Sequence, residues 1–180
     1  MSDVVRILLH TGDGGRYAVN AGGVPDELAA ELQRYRSADV VVGDGSAPPA
    51  DRTLVFTAVA LGPAGMGALG GNSDAILLAF GYHAHDEAAI LAFDARITEE
   101  YTAFYLTRGV TYTGVFHLEG ADTPPLGELL VFDAASLEEA ERLGSEDLPQ
   151  RIVDIEDECR TLQDREASRF SLWLVPSGPA

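Results

Sequence analysis

Apolar residues recur with period two along some stretches of the chain and with helical period along others, and the order of these stretches predicts its elements. Ile76, Leu78, Phe80 and Tyr82 alternate along Ala75–His83, which predicts a strand. Asp86 is placed to cap a following helix, in which Ile90, Phe93, Ile97, Tyr101, Phe104 and Tyr105 share one stripe. Gly109 stands where a glycine ends a helix. Alternation returns over Val110–Leu118, and a connection at Gly120–Gly127 leads into a strand at Glu128–Asp133. Ser136 and Glu139 have the spacing of a capping box before a short helix ending near Gly144. Leu148, Ile152, Ile155, Cys159 and Leu162 step by helical intervals, and Arg169–Val175 supplies a last strand with Phe170, Leu172 and Leu174 on one side and Trp173 on the other.

Strand, helix, strand, strand, helix, strand is the order of a ferredoxin-like βαββαβ unit, so residues 75–176 are expected to be an α+β domain with an antiparallel sheet and helices on one face. Its other face would need a cover from a second subunit, a ligand or an extra segment of the chain. Upstream, Val4–His10 and Arg16–Asn20 read as strands, Pro25–Arg36 as a helix with Leu28, Leu32 and Tyr35 on one face, and Thr53–Leu61 as a buried strand. Residues 1–62 are therefore expected to form a β/α extension, joined to the main domain by a glycine-rich linker or loop at 63–74. The first sixty residues carry one helix where a second unit of the same kind would need two, which argues against a complete tandem repeat.

Charge narrows the partners. The chain has 29 acidic and 12 basic residues, a net charge of −17, and every basic residue is Arg. Nucleic acid and anionic membrane surfaces are disfavoured, because both need a basic footprint. Either a high-salt cytoplasm or GC-rich codon usage would account for the acidity. One cysteine, Cys159, excludes an internal disulfide and a multi-cysteine metal site. The start of the chain lacks a basic stretch followed by an apolar one, and no window approaches a membrane span, so a soluble cytoplasmic protein is expected.

Residues 74–150 resemble the YCII-related branch of the dimeric α/β-barrel superfamily. The features carrying the resemblance are Ala95-Arg96, the run Ala103–Gly109, the segment Gly127–Ala140 with its strand followed by Ser136-Leu-Glu-Glu-Ala140, and Asp147-Leu-Pro149. The histidine that the family carries in its first helix is missing from Ile97–Tyr101. The resemblance implies a homodimer binding a small, largely apolar organic molecule, with cofactor-independent oxygenase, isomerase or cyclase chemistry among the superfamily's activities. A non-catalytic binding or structural dimer is the competing reading.

The candidate chemistry centres on His83, His85 and His117. His83 and His85 fall on one face of a strand, and His117 with Glu119 could complete a metal site. The alternatives are a helix cap with solvent-facing histidines and a metal-free pocket in which His83 is the general base, with His117 and Tyr112 as polar groups. The last is the assignment adopted, with no metal and no cofactor. Tyr101, Tyr105, Phe116 and Trp173 are the expected lining of an apolar pocket, and Arg96 the expected anion-binding group; core packing explains the same aromatics. Gly65-Met-Gly-Ala-Leu-Gly70 matches a dinucleotide fingerprint in form only, because Gly71-Asn72-Ser73 interrupts the helix it would need.

Overall fold

A computed structural model of the chain describes residues 3–23, 27–61, 67–70, 75–82, 102–119, 126–161 and 170–177, with isolated helical positions at 88, 92 and 100. Eight strands are formed: β1 (Val4–His10), β2 (Tyr17–Gly23), β3 (Ser37–Val42), β4 (Arg52–Leu61), β5 (Ala75–Tyr82), β6 (Val110–Leu118), β7 (Leu126–Asp133) and β8 (Phe170–Pro176). The named helices are α1 (Glu27–Leu32), α2 (Leu137–Ser145) and α3 (Gln150–Thr161), with a 3-10 turn at Gly67–Gly70 and a helical stretch at 102–106. All the strands join one antiparallel barrel in the order β1-β3-β2-β8-β5-β7-β6-β4, closed by the ladder between β4 and β1.

This architecture corrects the ferredoxin-like α+β expectation. There is no open four-stranded sheet with a face awaiting a second subunit, and helices are few among the described residues. The two strands expected at the sheet edges are paired: β6 with β4, from Phe56↔Leu118 to Leu61↔Gly114, and β8 with β2, from Tyr17↔Pro176 to Gly23↔Phe170. Strands β1 to β4, between Val4 and Leu61, supply half of the barrel. The dimeric α/β-barrel expectation is corrected with it, because one chain closes the barrel and the argument for a homodimer from an uncovered face falls away.

The two halves repeat one strand order. In residues 4–61 the strands lie β4-β1-β3-β2, and in residues 75–176 they lie β8-β5-β7-β6: fourth, first, third, second in each. What differs is how the chain crosses from strand to strand. In the second half the crossings are long and contain the helices. In the first half, residues 43–51 carry the chain from the end of β3 to the start of β4, on either side of β1. An extended segment of that length reaches about 30 Å, enough to run the length of a strand of about 20 Å. Arg6, on the outer face of β1, donates to the carbonyls of Gly43, at 2.9 Å, and of Gly45. Leu8, also on that outer face, is 1% exposed.

Residues 11–16 make the other short crossing, over the start of β3. Ser37 Oγ accepts from the Gly15 amide at 2.9 Å and donates to the Gly12 carbonyl at 2.5 Å. The approach is so close that a Cβ on Gly15 would lie 2.6 Å from the Ala38 nitrogen and 2.7 Å from its oxygen.

Alternation along the strands then sorts side chains by face. Val5, Ile7 and Leu9 of β1, Leu54 and Phe56 of β4, Phe116 and Leu118 of β6, Leu129 and Val131 of β7, and Leu172 and Leu174 of β8 fill the interior. An eight-stranded barrel is just wide enough for side chains to fill it, and here they are aliphatic and aromatic. Leu32 of α1 and Leu69 of the 3-10 turn are buried in the same cluster. Since β2 and β4 run in opposite directions, α1 follows β2 at one mouth and the 3-10 turn follows β4 at the other, each supplying a leucine plug. A second apolar cluster lies outside the barrel, where Val110, Tyr112, Val115, Leu130 and Phe132 meet Tyr105, Ala140 and Ile152 of the helical segments.

Two outcomes follow from closure within one chain. Gly15→Ala should cost about 2 kcal/mol or more in urea unfolding, because backbone and not a movable side chain blocks the new methyl; Gly14→Ala, with nothing within 4 Å of its Cβ position, should stay within about 0.5 kcal/mol. The midpoint of thermal unfolding should be unchanged over about two decades of protein concentration, whereas a barrel completed by a second copy would melt higher as concentration rises.

Candidate functional site

The expected site residues separate onto different faces of the barrel wall. Phe116 is fully buried inside the barrel. Tyr112, two per cent exposed, points the other way, into the outer cluster. A shift in the β6–β7 register between Tyr112 and Gly114 reverses the alternation, so Tyr112 and His117 both fall outside despite their odd spacing. They are nonetheless roughly 15 Å apart along the strand. His117 is half-buried at the β4–β6 seam opposite Thr57, whose hydroxyl donates to Glu119 Oε1 at 2.7 Å. Tyr112 and His117 do not form one catalytic pair. His83, Arg96 and Tyr101 lie outside the described residues, as does His85, and so does any convergence of the three histidines.

Tyr105, Tyr112 and Trp173 do come together, in the outer cluster. Trp173 stacks at a tilt on Phe132, with ring centroids 5.3 Å apart, and Phe104 meets Tyr105 edge-on at 5.2 Å. This layer also holds polar groups. Tyr105 Oη donates to Glu156 Oε1 of α3 at 2.5 Å, joining the helical stretch before β6 to the helix before β8. Arg151 and Glu100 pair between the same two segments. One helical turn before Tyr105, Thr102 is 6% exposed, and its Oγ1 has no hydrogen-bond partner among the described residues. Leaving a hydroxyl buried in that way costs about 1–3 kcal/mol. Thr102 and Tyr105, three residues apart, share one helix face.

Arg108 serves the end of α2. It lies over the Phe104 ring at 5.4 Å and donates to the carbonyls of Glu146 and Asp147, closing the end of α2. Asp147 takes a left-handed φ of 53° at that corner. The capping box at the start of α2 forms as its spacing predicts, with Ser136 Oγ accepting from the Glu139 amide at 3.2 Å.

No family model, curated protein or solved structure matches this chain. The YCII resemblance therefore gains nothing from the comparisons, and the barrel departs from the compact unit it implies. Among the described residues no helix is long and apolar enough to cross a membrane, and no cluster of three or more His, Cys, Asp or Glu is placed to hold a metal.

A second polar group, unforeseen in the sequence, sits on the first half of the barrel. His10 Nε2 lies 3.0 Å from Asp39 Oδ2, and the Arg16 amide donates to Asp39 Oδ1 at 3.1 Å. Burial raises the Tyr17 hydroxyl above its usual 10.0, with Arg16 opposing and Asp39 adding to the effect. The Thr11 amide and hydroxyl donate to Asp51 Oδ2 at 2.8 and 3.0 Å. These bonds tie the 11–16 crossing to β3 through Asp39 and join it to the 43–51 crossing through Asp51, which makes the group a structural fastening. Only the register, which sets His10 two positions from Asp39 across the β1–β3 ladder, reveals it.

The amide of Thr11 first, then its hydroxyl, holds the exposed Asp51 carboxyl below its ordinary 3.8. A depressed folded pKa stabilises the fold above the unfolded value and stops doing so as pH falls through the folded one. The difference in melting temperature between wild type and Asp51→Ala should thus be full near neutral pH and shrink below about pH 3.8. A difference that persists undiminished to about pH 2 would mean that Asp51 acts through packing instead.

Proposed function

We propose that this protein binds a small, largely apolar organic molecule in the layer between the outer face of β6 and β7 and the helical segments over it. The observation carrying this reading is the Tyr105–Glu156 hydrogen bond, a polar pair set in a cluster of aromatic and aliphatic side chains. Small-molecule sites have that composition: an apolar lining for affinity, with a few fixed polar groups that orient the ligand. Trp173, Phe132 and Tyr112 supply aromatic surface at the same place. The barrel interior is a poorer candidate, since its described side chains fill it as a core.

The reading stops at binding. Cofactor-independent oxygenase, isomerase or cyclase chemistry needs a base beside the bound substrate; of the histidines expected for that role, His117 is set apart at the β4–β6 seam and His83 lies outside the described residues. Charge restricts the ligand further: a carboxylate at the site and a net charge of −17 favour a neutral or cationic molecule over an anion. The test is native mass spectrometry of the full chain against a library of apolar metabolites. A one-to-one adduct, weakened about tenfold in Tyr105→Phe (a loss of about 1.4 kcal/mol), is the expected result. If no library member binds the wild type, the layer is a second core and nothing more.

A further inference from the structure

We propose that Thr102 is a ligand-recognising residue of the outer layer and that the ligand is a neutral hydroxylated molecule carrying polar groups for both Thr102 and the Tyr105–Glu156 pair. This rests on the binding reading above and names the ligand class for the same site. Thr102 is 6% exposed and its hydroxyl has no hydrogen-bond partner among the described residues, although the large majority of buried polar side-chain atoms have one. A threonine in a helix ordinarily satisfies its hydroxyl on a carbonyl one turn back. Among the described residues Thr102 Oγ1 finds no such partner, and a valine of the same shape would fill the place without the unmet bond.

Position supports the assignment. Thr102 lies one turn from Tyr105 on the same helix face, and Tyr105 belongs to the apolar cluster and donates to Glu156. A threonine hydroxyl both donates and accepts, so it is matched by a ligand hydroxyl or carbonyl. The carboxylate of Glu156 is matched by a ligand donor and repels an anion. An apolar frame with at least two neutral polar atoms, one of them a hydroxyl, answers both groups. A site built to hydrogen-bond a ligand hydroxyl discriminates strongly against the analogue lacking it, because the protein group is then left unpaired.

The experiment compares wild type with Thr102→Val by calorimetric titration and by melting temperature, using 2,3-dihydroxynaphthalene, 2-naphthol and naphthalene as probes. The dihydroxy probe should bind wild type at least about tenfold more tightly than naphthalene. In Thr102→Val that preference should fall about tenfold, with the melting temperature of the free protein unchanged or raised. Equal binding of the dihydroxy probe by both proteins overturns the role of Thr102 and leaves the binding site standing. A lower melting temperature for the unliganded valine variant overturns it too, by showing that the hydroxyl has a partner within the fold. Wild type that binds none of the three probes overturns the ligand class; the library screen then decides on the site itself.

Discussion

Strand edges must be paired, and this chain pairs them with each other. The ladders β4–β6 and β2–β8 join the first half to the second at two seams, and among the described strands no edge is left as a template for another chain. Everything else depends on these seams. They turn a sheet with two faces into a wall with an inside and an outside, and alternation then assigns each side chain to one or the other. Phe56 and Phe116 become interior core, and Tyr112 and Val115 become the floor of a second core beneath the helices. Fully burying one such large side chain contributes about 1.5–3 kcal/mol, so errors in register would be costly.

One strand order serves both halves, with different material at the crossings. Where a crossing is long it carries helices, and their apolar faces need something to pack on; the outer face of β6 and β7 provides it. Where a crossing is short it is a loop held by side-chain hydrogen bonds from a few residues, Ser37, Asp39, Arg6 and Thr11. That difference decides where chemistry can reside. The first half spends its polar side chains on fastening loops, whereas the second encloses an apolar layer with a tyrosine–carboxylate pair and an unmet threonine hydroxyl.

The candidate site was partly legible. Tyr105, Tyr112 and Trp173 stand out as aromatic residues on amphipathic elements, and they meet. Phe116 stands out for the same reason and ends on the other side of the wall, because the irregularity between Tyr112 and Gly114 changes which positions share a face. Thr102 and Glu156 carry no local signal. A threonine in a helix and a glutamate on a charged helix look like surface residues until the burial of the one and the partner of the other are known.

By itself the sequence determined the approximate positions of every strand but β3, for which Ser37–Val42 gave no signal, and the capping box at Ser136, since these depend on side chains a few residues apart. The alternation of helical and extended periods over residues 75–176 suggested a ferredoxin-like unit, which the single barrel overturns. Counting helices in the first sixty residues suggested an extension, yet a crossing needs only enough chain to span a strand, and residues 43–51 span it without a helix. Closure of the barrel, the inside or outside fate of Phe116 and Tyr112, and the meeting of Tyr105 with Glu156 were decided by tertiary structure alone. Each depends on hydrogen-bond register and packing between segments far apart in the chain, and local periodicity contains no information about those distances.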